Sequence, residues 1–205
     1  MIDVDDILRR TSTLLLDQTF IRWTKPEQLD WIYDAMTAII VRNPGSIAAL
    51  ETVVLSEGVK HTLEADGIMD VIRVLPSGRP LSLASRYHLD TADPDWYGKK
   101  PTSKLIHYTY DERAENIIYT YPPAADGTEV EVLSWRIPTA KPTEGGTIDI
   151  GLEYINAVVN FVVFRALSKD SEYGNGQIAA GYYNLFNSEL GAESSAATTP
   201  PKGEP

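Results

Sequence analysis

The 205-residue chain contains no cysteine. Disulfides, zinc–thiolate sites and thiol nucleophiles are therefore excluded at the outset. Histidine is scarce. His61, His88 and His107 fall in separate expected elements and none is four residues from another, so neither an HExxH helix nor a metal-ligand cluster is present. Basic residues are outnumbered, with 18 Lys and Arg against 29 Asp and Glu and a net charge of −11. A surface that reads nucleic acid needs clustered cations, and this balance argues against one. DNA can still pass an acidic surface without being gripped. Long apolar runs are missing too: the richest stretch is broken by Glu153, Asn156, Asn160 and Arg165, short of the ~18–20 apolar residues a bilayer span requires. Met1-Ile2-Asp3-Val4-Asp5-Asp6 is acidic where a secretory signal is basic, so the expected site of action is the cytoplasm of the producing cell or something assembled there. No Gly-x-Ser-x-Gly elbow, Walker loop or Rossmann fingerprint occurs. Gly174-Asn175-Gly176 reads as a turn and helix start, since no strand precedes it.

What is present is enough apolar residue, 43%, to build one domain with embellishments or two small ones. The spacing predicts a first helix over 3–16, with Asp5 and Asp6 in its first turn and the face Val4, Ile7, Leu8, Thr11, Leu14 and Leu15. Thr24 and Glu27 form a capping box, and Pro26 suits the first turn of a second helix through Leu29, Ile32, Met36, Ile39 and Ile40. That helix is expected to stop near Asn43, because Pro44 disfavours helix at the preceding residue. From about residue 50 the pattern turns β-branched. Strands are expected over 51–55, 58–63 and 68–75, a short helix over 83–89, a hairpin from 104–110 and 116–121, and a further strand over 129–136.

The most apolar helix is expected to start at Asp149 as cap. Leu152, Ile155, Val158, Val159, Val162, Val163, Ala166 and Leu167 share one face, while Phe161 and Phe164 make the other side apolar. Such a helix touches protein on more than one face, as the centre of a domain or wedged between subunits. A short polar connection leads to a final helix containing Ile178, Tyr182, Leu185, Phe186 and Leu190, with Gly191 as a left-handed cap, making an antiparallel αα-hairpin. Two helices, a strand-rich middle and two more helices make an α+β chain. Residues 192–205 are Ala, Ser, Thr, Pro, Gly and charge. They form either a floppy end or an arm that orders on a partner.

No catalytic, cofactor or metal residue can be assigned. The acid pairs Asp93/Asp95, Asp111/Glu112 and Glu129/Glu131 fall in turns or on one face of an exposed strand, where a solvated surface explains them better than acid–base work. Tyr108, Tyr110, Tyr119 and Tyr121 alternate along two paired strands, so that cross-strand aromatic packing is expected rather than a sugar-binding platform.

Several segments together resemble the head–tail adaptor (connector) proteins of short-tailed bacteriophages. They are Arg22-Trp23-Thr24-Lys25-Pro26-Glu27-Gln28-Leu29; residues 63–75, with Ile68-Met69-Asp70-Val71-Ile72-Arg73-Val74; Asp93-Pro94-Asp95-Trp96; His107-Tyr108-Thr109-Tyr110-Asp111-Glu112-Arg113; Tyr119-Thr120-Tyr121-Pro122-Pro123; Tyr154-Ile155-Asn156-Ala157; and Arg165-Ala166-Leu167-Ser168-Lys169-Asp170-Ser171-Glu172-Tyr173. The resemblance covers roughly residues 5–190 in matching order. It implies a helical bundle (two N-terminal and two C-terminal helices, 1–48 and 147–191), an inserted β-rich region over 49–146, and a flexible C-terminal arm over 192–205. It also implies a non-enzymatic virion protein at the head–tail junction. That protein would form a homo-oligomeric ring, by analogy a dodecamer, between the portal protein and a tail tube or nozzle protein, with DNA passing through. Read from the residues alone, a monomeric protein- or sugar-binding module and a small hydrolytic enzyme remain open.

Overall fold

The computed structural model describes residues 1–111, 113–169 and 173–197, the last stretch from 192 as backbone only. Its helices are α1 (Val4–Leu14), α2 (Lys25–Arg42), α3 (Arg86–Ala92), α4 (Ile155–Ser168) and α5 (Gly176–Ala197). Its strands are β1 (Ile2–Asp3), β2 (Ala49–Leu55), β3 (Gly58–Thr62), β4 (Gly67–Leu75), β5 (Arg79–Pro80), β6 (Ser82–Leu83), β7 (His107–Tyr110), β8 (Ile117–Ala124), β9 (Thr128–Trp135) and β10 (Thr147–Ile148). The architecture is mixed α+β. The chain divides into two compact units, Met1–Ile47 together with the chain from Ile137 on, and Ala48–Arg136.

In the first unit α4 packs against α1, α2 and α5. Asp3 caps α1 by accepting from the Asp5 N–H at 2.8 Å. Val4, Ile7, Leu8 and Thr11 turn inward, whereas Leu14 lies at the frayed end and is half exposed. Val158, Val159, Val162, Val163 and Ala166 are the buried face of α4. Its other apolar side is covered within the chain: Phe161 meets Phe186 at 5.1 Å and Phe164 meets Tyr183 at 4.8 Å between ring centroids. Asn160 donates to Glu189 at 3.1 Å. These pairings run in opposite directions along the two helices, which makes α4 and α5 antiparallel.

Two expected helix boundaries move. Asp149 does not cap α4: β10 pairs with β1, Ile2 opposite Ile148, which keeps the chain extended there, and a 3₁₀ turn at Leu152–Tyr154 precedes the helix. Leu152, on that turn, is exposed. Gly191 does not terminate α5, which runs to Ala197. The end expected at 192–205 thus begins as helix, and residues 198–205 lie outside the described part of the chain.

The second unit contains two four-stranded sheets, ordered β2-β9-β4-β5 and β3-β8-β7-β6. Leu55, Val71, Val74, Val130 and Val132 from the first sheet and Tyr108, Ile118 and Ala124 from the second share one core, so the sheets pack face to face. The β7–β8 hairpin forms as read, but β9 leaves it and sits between β2 and β4. β8 continues through Pro122 and Pro123. Neither proline can donate, yet the Tyr121 and Pro123 carbonyls still accept from Ile106 and Thr102 at 2.8 and 2.9 Å. The expected helix over 83–89 starts later: β6 pairs parallel to β7, and Ser85 then caps α3 by accepting from the His88 N–H. Gly67 is a packing requirement, because a Cβ there would meet the Trp135 indole at 2.3 Å.

Candidate functional site

On the outer face of the second sheet, Val59, Leu89 and Trp96 form a small core with Tyr119 and Tyr121 against it. Tyr108 belongs to the inner core with Tyr110 beside it. The register explains the split: Tyr108 sits opposite Thr120 and Thr109 opposite Tyr119, so the two tyrosine pairs occupy opposite faces. The expected cross-strand tyrosine packing is therefore replaced. Tyr121 lies near Trp96 at 6.4 Å and stacks on His107 at 5.9 Å, while Tyr119 meets Tyr97 at 6.4 Å. On the inner side the Tyr108 hydroxyl donates to Asp70 at 2.6 Å, and burial together with that carboxylate pushes the phenol pKa well up.

Asp93 joins the outer cluster. Its carboxylate is paired with Lys99 and accepts from the Tyr121 hydroxyl at 2.8 Å. The Lys99 ammonium, then the Tyr121 hydroxyl, hold the acid below its ordinary pKa, and Asp93 in turn raises that of Lys99. The Trp96 indole donates to Asp90 at 2.7 Å, and Arg86 lies 5.6 Å above the Tyr119 ring. His107 Nδ1 is engaged by Ser82 Oγ at 2.7 Å. The groups are thus committed to one another. The face can stack and hydrogen-bond, and Ser82 with His107 is a hydroxyl–imidazole contact within it.

The remaining sequence candidates are scattered. His88 is exposed on α3. His61 is buried with Nε2 3.1 Å from Thr120 Oγ1. Burial lowers its pKa, and the Gly58 backbone offsets this only in part, without a well-formed bond to Nδ1. Glu131 pairs with Arg73 at 2.9 Å, Glu129 is exposed, and Asp111 accepts from the Arg113 N–H in its own turn. Asp95 is exposed, and Glu112 lies outside the described residues. Among the described residues no group of three or more His, Asp or Glu is placed to hold a metal ion, and no helix is long and apolar enough to cross a membrane. Consecutive strands β2 and β3 are edges of different sheets, and where they part a cavity of about 640 Å³ opens, lined by Val53, His61, Leu63, Val132 and Arg136 among others.

The first unit holds the features that the sequence reading missed. Asp17 is buried, and its carboxylate accepts from the N–H groups of Ile21, Arg22 and Trp23 at 3.1, 2.9 and 3.0 Å. Burial alone would raise its pKa; the three donors outweigh it and lower it. Gln28, fully buried, accepts from Thr11 at 2.7 Å and donates to the Trp23 carbonyl at 3.0 Å, and the Trp23 indole donates to the Ala166 carbonyl at 2.9 Å. This network joins α1, α2 and α4. The only advance signal was a short polar stretch, Asp17-Gln18-Thr19, between two helices. Between α2, α4 and α5 lies an open groove of about 510 Å³ lined mainly by Tyr33, Ala38, Val41, Phe161, Tyr183 and Phe186.

The structure is thus an α+β chain in which buried polar groups tie helices together and in which Asp93, Tyr121 and His107 gather on one sheet face. The sequence matches the SU10 adaptor protein family over residues 2–202, nearly its whole length, and the chain belongs to that family. It is a phage adaptor, a structural virion protein of the head–tail junction that meets head and tail components. No curated protein matches the chain.

Proposed function

We propose that copies of this chain form a ring between the portal protein and a tail tube or nozzle protein, joining head to tail and letting the genome pass through its lumen. The observation that carries this reading is the family match across residues 2–202. In this reading the helices of the first unit form the ring's bundle, with the strand-rich unit inserted between them, and assembly takes place in the host cytoplasm. The protein binds rather than catalyses. The mutual pairing of Asp93 and Lys99 supports that part. The net charge of −11 suits a channel that repels DNA rather than holding it.

The test is the mass of the purified protein in solution, alone and after mixing with portal rings. A closed ring, formed alone or only on the portal, is the expected result. A monomer under both conditions would overturn the reading and turn attention to ligands of the Trp96–Tyr121 face.

A further inference from the structure

The two sheets of the second unit end in four edge strands, and three of these carry devices that discourage pairing. β5 and β6 are two residues long, and β5 ends in Pro80. β3 is interrupted by a bulge between Gly58 and Lys60, and Lys60 is exposed on it. Short strands, proline, bulges and lysine are the means by which sheets protect an open edge. β2 has none of them. It runs for seven residues in unbroken register with β9, and among the described residues no strand pairs with its other side. That side opens on the cavity of about 640 Å³ where β2 and β3 part.

The backbone of β2 defines what can cover it. The Leu55 carbonyl faces the β9 side, where the Gly127 N–H donates to it at 3.0 Å. By the alternation of an antiparallel ladder, Val53 and Glu51 also turn their backbone groups to β9, and those of Leu50, Thr52 and Val54 point to the open edge. Only another extended backbone offers donors and acceptors at that spacing. The side chains of the same three residues share the outer face of the sheet, where Leu50 is 54% and Val54 63% exposed.

We propose that β2 pairs antiparallel with β2 of a second copy, about a two-fold axis through Thr52. This register brings all seven residues of each strand into the ladder, and the order of side chains fits it. Leu50 falls opposite Val54 of the second copy, and Thr52 opposite its own counterpart, each pair exchanging both N–H···O bonds. Aliphatic and Thr–Thr pairs of this kind stabilise a sheet. On the inner face Glu51 falls opposite Val53, so the two carboxylates are not set directly against each other. A two-fold contact of one patch with itself closes at two copies. It goes beyond the ring reading and belongs to the free chain, where it keeps an adhesive edge covered. One strand pair falls short of the ~1,200 Å² that a stable complex buries, so the dimer is weak and comes apart on dilution.

The absence of native cysteine makes the test direct. Residues paired across the axis have Cα atoms about 5.5 Å apart, within the reach of a disulfide. Single-cysteine proteins are mildly oxidised and sized without reductant, and the mass of the unaltered chain is followed by sedimentation over a concentration series. The expected results are a monomer–dimer equilibrium and a homodimer through Thr52→Cys. Leu50→Cys and Val54→Cys crosslink with each other when mixed, and neither crosslinks with itself. Adding Val54→Lys to Thr52→Cys lowers the crosslinked fraction about tenfold, with the circular dichroism of the chain unchanged because Val54 is exposed. A homodimer through Leu50→Cys in place of Thr52→Cys would overturn the proposal, as would a Thr52→Cys crosslink that ignores Val54→Lys. A monomer at every concentration would overturn it too, and would leave the edge to an extended segment of another protein. All these readouts are taken without the portal, so their failure leaves the ring reading standing.

Discussion

Three backbone N–H groups converge on the Asp17 carboxylate, and none has a second acceptor of equal quality within the loop. Replacing Asp17 with Asn keeps the shape but removes the charge and turns one acceptor into a donor facing donors. The expected cost is roughly 2 kcal/mol of stability, measured by urea unfolding at neutral pH. The pH dependence follows from the lowered pKa. The stabilisation is fully present above the unfolded value, near 3.8, and is lost as pH falls through the lower folded value. The gap between wild type and Asp17→Asn therefore narrows below pH 3.8 and is flat above it; a gap that widened on acidification would refute this assignment. At this scale the sequence was legible where residues followed a period, as with Val158, Val162 and Ala166. It was not legible where a side chain served backbone groups several positions away, as with Asp17, or across helices, as with Gln28 and Thr11. No spacing rule marks such bonds.

Among the elements, α2 was the most legible, because its start signal is local. The structure adds a further tie on the Glu27 half of the capping box. Glu27 Oε2 accepts from the Thr24 N–H at 3.1 Å and from the Thr24 hydroxyl at 3.0 Å, and Glu27 also pairs with Lys169. Both halves of the box are present, and the Thr24 hydroxyl, besides facing the Glu27 N–H, donates to the Glu27 carboxylate. The Lys169 ammonium is the leading cause of the lowered Glu27 pKa. Glu27→Ala is therefore expected to cost more than Thr24→Ala, about 1 kcal/mol against a few tenths, in side-by-side thermal unfolding. Equal losses, or a larger loss at Thr24, would show the hydroxyl to be the working cap. Elements whose ends depend on remote partners were read less well. The start of α4 is postponed by pairing of β10 with β1, and β8 runs across two prolines because its carbonyls find donors outside the hairpin. Gly191 was read as a stop from its place just after Leu190 in the periodic run, yet α5 passes through it.

For the whole molecule, the alternation of helices and strands gave the α+β class, because each element carries its own period. The partition of the strands between two sheets was not legible. Nothing local says that β9 leaves the hairpin to sit between β2 and β4, or that the tyrosine pairs of β7 and β8 part to opposite faces. Charge is the property that survives at this scale without knowledge of pairing. With 29 acidic against 18 basic residues in each copy, a ring multiplies an excess of 11 negative charges by its copy number. A lumen rich in Lys and Arg would bind the passing phosphates and slow ejection, because each cation that neutralises a phosphate releases a counterion and adds to affinity. An acidic wall repels the duplex, within a range of about 8–10 Å set by salt at physiological strength. The expectation is that acidic side chains outnumber basic ones on the lumen wall. A reconstruction of the ring assembled on its portal reads this directly, and a wall lined by Lys and Arg would refute it.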